Sequence, residues 1–245
     1  MDIKIVAIGG GSMLEGATAV IDKEIIRLTG KKKPRALFIP TAKSDDPDYC
    51  ETFRKVYGER LGCLTDDLLL VKNPPATKEI REKINRADII YVGGGNTLKM
   101  MRRWRFLGVD KMLLQACRAG KVMAGTSAGA ICWFQYGHSD SMAYYHPEAW
   151  NWIRVKCLGV LPFTACPHCL KEGRMDHFMK MMSETGGKGI ALDDCTALMV
   201  AGDKFKILHS QPNAVAFKVY RKNGEMVKEI LPSTAEFRPV ESLTI

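Results

Sequence analysis

The residues with the clearest capacity for chemistry are Gly125-Thr126-Ser127-Ala128-Gly129, a G-x-S-x-G pentapeptide. The apolar run at 122–124 predicts a buried strand before it, and residues 128–136 predict the start of a helix after it. A serine on so sharp a turn needs small neighbours, and the turn lifts its hydroxyl out of the sheet. The Ala128 amide, at a helix N-terminus, is then placed to bind a developing oxyanion. The pentapeptide predicts a nucleophile, although glycine-rich turns also contain this pattern by chance.

A serine nucleophile needs a general base, and histidine is the usual one. The chain contains five histidines. His168 directly follows a predicted strand, from which a base can face the carboxyl edge of a sheet, and it is the preferred candidate. His138 and His146, on a polar segment after the nucleophile, stay open as alternatives. His177, within a predicted helix, is interpreted as facing solvent or a partner, and His209, at the end of a late strand, as structural.

The base in turn needs a carboxylate that fixes its tautomer and stabilises the imidazolium. Asp140 lies on the polar segment after the nucleophile, whereas Asp193 and Asp194 end a predicted strand. A carboxylate at the end of a strand is better held than one on a loop, but the residues alone leave all three open. Gly93-Gly94-Gly95 ends another strand and could supply a second oxyanion amide, because glycine permits close backbone approach.

Strands and helices alternate through the first half of the chain, and the strands are apolar without polar alternation. This pattern predicts a parallel, doubly wound sheet covered on both faces. Ligands gather at the carboxyl ends of the strands in such sheets, where all three glycine-rich segments (9–12, 93–97 and 125–129) fall. Residues 137–152 predict a long loop over the site. The later strands are expected to extend the same sheet, and without a linker or repeat the chain is interpreted as one domain, 1–245.

The predicted strands are 3–8, 35–39, 68–71, 89–92, 122–124, 158–161, 189–192, 197–201, 205–209, 214–219 and 226–231. The predicted helices are 17–29, 49–61, 77–86, 97–106, 110–119, 128–136 and 171–185.

Composition narrows the classes of partner. The net charge of +9 comes from 36 Lys and Arg against 27 Asp and Glu. These basic residues are dispersed, with only Lys31-Lys32-Lys33 and Arg102-Arg103 as runs, so binding to nucleic acid is not expected. The positive field instead favours attraction of a small acidic substrate. No window approaches the roughly 20 apolar residues of a transmembrane helix, so no membrane association is expected.

The cysteines predict a reducing compartment. Eight are scattered along the chain, and the N-terminal run is interpreted as a first strand, not a signal peptide. We therefore expect a cytoplasmic protein with reduced thiols. Cys166 and Cys169 have C-x-x-C spacing without a second pair, so no metal is expected. The glycines at 9–11 lack the G-x-G-x-x-G spacing of dinucleotide folds, so no cofactor is expected.

Four motifs, GGGNT (93–97), AGTSAGA (124–130), CPH (166–168) and IALDDCTAL (190–198), together resemble the peptidase E / cyanophycinase family of serine hydrolases. They occur in the family's order at similar spacing, and the resemblance spans most of the chain. It implies an α/β fold, a three-layer flavodoxin-like sandwich with a mostly parallel central sheet and C-terminal antiparallel additions. The fold is shared with class I glutamine amidotransferases, whose chemistry would need cysteine in place of Ser127.

The resemblance also implies roles for individual residues. Ser127 matches the nucleophile, His168 the base, and Asp194 the triad acid, where the family usually has a glutamate. Asp140 matches an aspartate implicated in peptidase E and is the second choice of acid. By the same resemblance, Gly94 and Ala128 would form the oxyanion hole. Asn96 would border the substrate pocket, and Arg174 would bind an aspartyl carboxylate.

The activity implied by the resemblance is hydrolysis of small peptides with N-terminal aspartate, through an acyl-enzyme on Ser127. Two alternatives stay open: cyanophycinase-like hydrolysis of β-linked Asp-Arg peptides, and a non-catalytic ligand-binding relative. The expected partner is a small acidic peptide, with neither nucleic acid nor membrane, and a homodimer is left open.

Overall fold

Two β-sheets and seven α-helices are present in the computed structural model, which describes residues 3–171 and 173–243. The strands are β1 Lys4–Ile8, β2 Arg35–Ile39, β3 Leu64–Asp67, β4 Ile89–Val92, β5 Val122–Thr126, β6 Phe134–Ser139, β7 Ile153–Lys156, β8 Leu161–Pro167, β9 Gly189–Leu192, β10 Thr196–Ala201, β11 Lys204–His209, β12 Ala216–Lys222, β13 Glu225–Leu231 and β14 Arg238–Pro239. The helices are α1 Ala19–Arg27, α2 Pro47–Phe53, α3 Thr77–Arg86, α4 Thr97–Leu107, α5 Val109–Arg118, α6 Ala128–Ile131 and α7 Arg174–Thr185.

The central sheet has eight strands in the order β14-β11-β10-β1-β5-β4-β2-β3. Strands β1 to β5 are parallel, and β10, β11 and β14 add antiparallel strands beside β1. Residues of α1 and α2 share a core with one face, and residues of α3, α4 and α5 share a core with the other. The predicted α/β class, with a mostly parallel central sheet and antiparallel additions, is confirmed.

A second sheet of six strands has the order β13-β12-β9-β8-β6-β7. Its inner strands β6, β8 and β9 are parallel, and the other pairs are antiparallel. The prediction that all late strands extend one sheet is therefore wrong for β9, β12 and β13. The cause is α7, which covers these strands and buries Phe178 and Met182 against Ala191 and Val219.

Three local predictions also differ from the structure. The helix after Ser127 ends at Ile131, because the fully buried run that follows continues into β6 in the core. The strand predicted at 68–71 instead lies at Leu64–Asp67, an edge strand beside β2, while Leu68 and Leu70 are buried from an irregular segment. The helix predicted at 49–61 is α-helical only to Phe53 and continues as a π-helix over Arg54–Arg60.

The parallel parts of both sheets end at the same group of loops. Gly10, Gly94 and Ser127 follow β1, β4 and β5, and Asp140, His168 and Asp194 follow β6, β8 and β9. None of the helices in the described part of the chain is long and apolar enough to cross a membrane.

Candidate active site

Ser127 occupies the sharp turn between β5 and α6. Its φ of 53° and ψ of −115° are rarely adopted by a residue with a side chain. The backbone is held in this conformation because its amide donates to the Ile8 carbonyl at 2.9 Å. A Cβ on Gly125 or Gly129 would fall onto backbone atoms of Gly129 or Val92. The small neighbours in the sequence are therefore a packing requirement of the turn.

His168 and Asp194 approach Ser127 from the second sheet. The Nε2 atom of His168 lies 2.9 Å from Ser127 Oγ, and its Nδ1 atom is hydrogen-bonded to Asp194 Oδ1. Because an ionised carboxylate only accepts, Nδ1 carries the proton and Nε2 is left to accept the serine proton. Of the sequence candidates, these three form one hydrogen-bonded series.

The environment keeps Asp194 ionised. The hydrogen bond with His168, together with a smaller effect of the Lys171 ammonium, lowers the pKa of Asp194 to about 2. Lys171 Nζ lies 3.2 Å from Asp194 Oδ2, so each carboxylate oxygen has its own partner. An acid held in this way can stabilise an imidazolium without taking its proton.

The other two candidate acids do not contact His168. Asp140, at the end of β6, accepts from Arg174 Nη1 at 3.3 Å. The side chain of Asp193 accepts from the Leu170 amide at 3.4 Å. In the described residues, the carboxylate beside His168 is therefore that of Asp194.

Arg174 is the first residue of α7 and is only 6% exposed. Besides Asp140, its guanidinium donates to the His138 carbonyl at 3.2 Å. Its Nε has no hydrogen-bond partner within the part of the chain that the structure describes. The site thus contains a buried cation, Arg174, paired with the partly exposed carboxylate of Asp140.

The alternative histidines lie away from Ser127. His138 is fully buried, with Nε2 3.0 Å from His177 Nδ1, and its ring stacks on Trp152. Burial, followed by the nearby charge of Arg174, lowers the pKa of His138 to about 3. His146 is exposed between β6 and β7. His177, which was expected to face solvent or a partner, is half-buried and contacts His138 within the chain.

The expected oxyanion donors both lie beside the nucleophile. Ala128 begins α6, so its amide has no acceptor within that helix. A Cβ on Gly94 would lie 3.2 Å from Ser127 Cβ, which places the glycine against the serine. The Gly94 amide, however, donates to the Tyr49 hydroxyl at 3.1 Å. One expected donor is therefore paired in this structure.

Asn96 is buried and has both ends of its side chain occupied. Its Oδ1 accepts from the Lys99 amide at 2.9 Å as the N-cap of α4, and its Nδ2 donates to the Ser141 carbonyl at 3.3 Å. These contacts join the loop after β4 to the segment after Asp140. Asn96 therefore lies at the border of the site, where it caps α4 and holds the two segments together.

Cys166 and Cys169 are both buried as free thiols. Burial raises the pKa of the Cys166 thiol to about 12, so it is protonated at neutral pH. Over residues 3–171 and 173–243, no three His, Cys, Asp or Glu side chains converge as a metal ion would require.

Gly10 is a site residue that the sequence reasoning missed. A Cβ on this glycine would overlap Asp194 Oδ1 and the His168 ring. The Gly10 carbonyl accepts from the Cys195 amide at 2.9 Å, which ties the loop after β1 to the residue that follows Asp194. The glycine run at 9–11 places this loop at the ligand-binding edge of the sheet, but it does not indicate which of its residues contacts the site.

We expect Gly10→Ala to lower kcat by about 10²-fold, because a displacement of about 1 Å in a catalytic group has an effect of this order. Steady-state kinetics on an N-terminal aspartyl dipeptide would measure this change. Gly58→Ala is the matched control, since its new Cβ would make only ordinary contacts with Thr65. Wild-type kcat in Gly10→Ala would contradict a positioning role for Gly10.

The chain is similar to known peptidases. Residues 5–208 match the sequence model of Peptidase family S51. The chain is 33% identical over 233 residues to the uncharacterized peptidase YgaJ of Bacillus subtilis (strain 168), covering 94% of this chain and 97% of that protein. It is 26% identical over 220 residues to a Drosophila melanogaster protein named "Probable alpha-aspartyl dipeptidase", covering 85% and 81%.

Among solved structures, that of a peptidase from an acI-B1 actinobacterium superimposes with a TM-score of 0.75 at 21% identity, covering 98% of this chain and 97% of that one. This likeness supports the fold. The resemblance seen in the four motifs is confirmed by the family match and by the Bacillus relative. The chain belongs to Peptidase family S51.

Proposed function

We propose that this protein is a serine hydrolase that cleaves small peptides with N-terminal aspartate through an acyl-enzyme. The observation that carries the proposal is the hydrogen-bonded series of Ser127, His168 and Asp194, with His168 Nε2 2.9 Å from Ser127 Oγ. A serine on a strained turn, next to a base that a carboxylate orients, is the arrangement that activates a hydroxyl for acyl transfer.

In this mechanism His168 moves the protons. Its Nε2 takes the proton of Ser127 Oγ as the oxygen attacks the substrate carbonyl, and Asp194 stabilises the imidazolium. The same proton then passes to the leaving amine, and the C–N bond breaks to give the acyl-enzyme. Water repeats the sequence in the second half-reaction and releases the free acid.

The negative charge that develops on the carbonyl oxygen needs donors already in place. The Ala128 amide, at the first turn of α6, is the first of them. Gly94 contributes a second when the oxyanion replaces the Tyr49 hydroxyl as acceptor of its amide, which now donates to that hydroxyl at 3.1 Å.

The preference for N-terminal aspartate rests on Asp140 and Arg174. An N-terminal aspartyl residue carries an ammonium and a side-chain carboxylate, which complement this acid and this buried guanidinium. The dipeptidase name of the Drosophila relative points in the same direction.

The substrate is tested by hydrolysis of Asp-Leu, isoAsp-Leu, Leu-Asp, Glu-Leu and a β-linked Asp-Arg dipeptide. We expect Asp-Leu to be cleaved and Leu-Asp to be resistant, because only the former presents the aspartate as acyl group. Cleavage of only the β-linked compounds would replace the proposal with cyanophycinase-like specificity. Resistance of all five would favour a non-catalytic ligand-binding relative.

A further inference from the structure

We propose that a cationic cleft beside the candidate site binds the acidic continuation of a peptide longer than a dipeptide. This inference rests on the proposed function and narrows its substrate class to N-terminal aspartyl peptides with further carboxylates downstream. The cleft has a volume of about 440 Å³. Its lining residues are Val71, Lys99, Arg102, Arg103, Phe106 and Tyr145.

One face of α4 provides most of the lining. Lys99, Arg102, Arg103 and Phe106 are spaced at three, four and seven residues, which places them on the same side of the helix. At about 1.5 Å per residue, this row spans roughly 10 Å. An extended peptide covers that distance in about three residues. The cleft therefore has the length of a short peptide segment.

The cations of the cleft lack acidic partners. Lys99 Nζ donates to Ser44 Oγ at 2.7 Å. Arg103 donates to the Val71 carbonyl at 3.1 Å. Within the described residues, Lys99, Arg102 and Arg103 form no ion pair with a carboxylate. These positive charges attract an anion and repel a cationic ligand.

The Asp45 carboxylate interacts electrostatically with Lys99 and Arg103 at longer range. It already accepts from the Val71 amide at 2.6 Å, and burial raises its pKa. The lining residues themselves include three cations and no carboxylate, so the lining of the cleft carries positive charge.

Two exposed aromatic rings add apolar surface to this charge. Phe106 is 80% exposed and Tyr145 is 50% exposed, and the guanidinium of Arg103 lies 5.7 Å from the centroid of the Phe106 ring. Large exposed apolar groups rimmed by polar residues mark interaction sites. A peptide with mixed apolar and acidic side chains matches this surface better than an inorganic anion does.

Two elements that line the cleft, α4 and the segment that carries Tyr145, begin beside the candidate site. Asn96 caps α4 two residues after Gly94, which lies against Ser127. The Leu98 amide at the start of α4 donates to Ser141 Oγ at 3.0 Å, which joins the helix to the segment that carries Tyr145. Every additional residue of an N-terminal aspartyl substrate lies beyond the scissile bond. A longer peptide can therefore continue from the site into this cleft.

Binding to the Ser127→Ala variant tests the cleft without hydrolysis. The probes are the peptides Asp-Leu-Asp-Glu-Asp and Asp-Leu-Asn-Gln-Asn, each labelled at the C-terminus for fluorescence anisotropy. We expect the acidic peptide to bind about 10-fold more tightly at low ionic strength, because two or three exposed charge pairs give an effect of this order. The preference should decrease as salt is raised.

Arg102→Gln in the Ser127→Ala background should remove most of this preference, and Arg102→Lys should retain most of it. Arg81→Gln, at an exposed arginine of α3, is the matched control and should preserve the preference. Equal affinity for the two peptides, or equal effects of Arg102→Gln and Arg81→Gln, would overturn the proposal.

A third probe, N-acetyl-Asp-Glu-Asp with the same label, separates substrate extension from independent anion binding. It should bind more weakly than the acidic pentapeptide, because it lacks the N-terminal Asp-Leu segment with its free ammonium. Equal affinity would make the cleft a separate anion site and overturn the substrate assignment. If the wild-type protein cleaves no aspartyl peptide while the acidic preference persists, the proposed function fails and only binding in the cleft is retained.

Discussion

Replacement of Ser127 by alanine is expected to lower kcat for Asp-Leu by about 10⁶-fold and to leave the fold intact. The loss is large because no other group stands at hydrogen-bond distance from His168 Nε2 in the described structure. Alanine meets the same backbone strain as serine at a φ of 53°, and the amide bond to the Ile8 carbonyl is retained. Initial rates with purified protein and a thermal melt would measure the two effects separately.

Ser183→Ala is the matched control for this substitution. Its hydroxyl bonds only to the Lys180 carbonyl on the exposed side of α7, so both kcat and the melting temperature should stay close to those of the wild type. Residual turnover in Ser127→Ala within about 10-fold of the wild type would show that another group is the nucleophile. A lower melting temperature in Ser127→Ala alone would show that the hydroxyl also stabilises the turn.

The parts of the site that the sequence predicts are those fixed by local structure. The turn at Ser127 depends on glycines two residues away on either side, so its signal lies within five residues. The position of His168 after a strand predicts its place at the common edge of parallel strands, whereas the choice of Asp194 over Asp140 and Asp193 depends on the family resemblance. The hydrogen bond between His168 and Ser127 joins two different sheets. The spacing of these residues in the sequence does not predict it.

The assignment of strands to the two sheets depends on packing over a long range. Strands β9 and β10 are both short and apolar, yet β9 joins the second sheet and β10 the central one. The difference comes from α7, whose Phe178 and Met182 bury one face of the second sheet. A pattern of local hydrophobicity contains no information on which sheet a helix covers.

Two contacts of the site, those of Gly10 and Tyr49, are not predicted by the sequence patterns. Gly10 contributes by the absence of a side chain, which makes room for Asp194 and His168. Tyr49 reaches the Gly94 amide from α2, a helix 45 residues earlier in the chain. Such contacts become visible only when the loops at the ends of the strands have been brought together.

The choice between the two candidate acids gives the second large effect. We expect Asp194→Asn to lower kcat by about 10⁴-fold, because a neutral amide no longer stabilises the imidazolium or fixes the tautomer of His168. The loss should appear in kcat, with KM little changed, since Asp194 contacts His168 and Lys171. Asp193→Asn controls for the substitution itself, because the Asp193 side chain bonds to the Leu170 amide and not to His168 in the described structure.

Asp140→Asn should act differently, because Asp140 contacts Arg174 and not His168. Loss of this charge leaves the buried guanidinium of Arg174 without its carboxylate and removes the proposed partner of the substrate ammonium. We therefore expect KM for Asp-Leu to rise by about 10-fold or more, with a smaller loss in kcat than in Asp194→Asn. The reverse result, with the 10⁴-fold loss of kcat in Asp140→Asn, would mean that the segment after β6 rearranges on substrate binding. Asp140 would then orient His168, and the hydrogen bond between His168 and Asp194 would belong only to the resting enzyme.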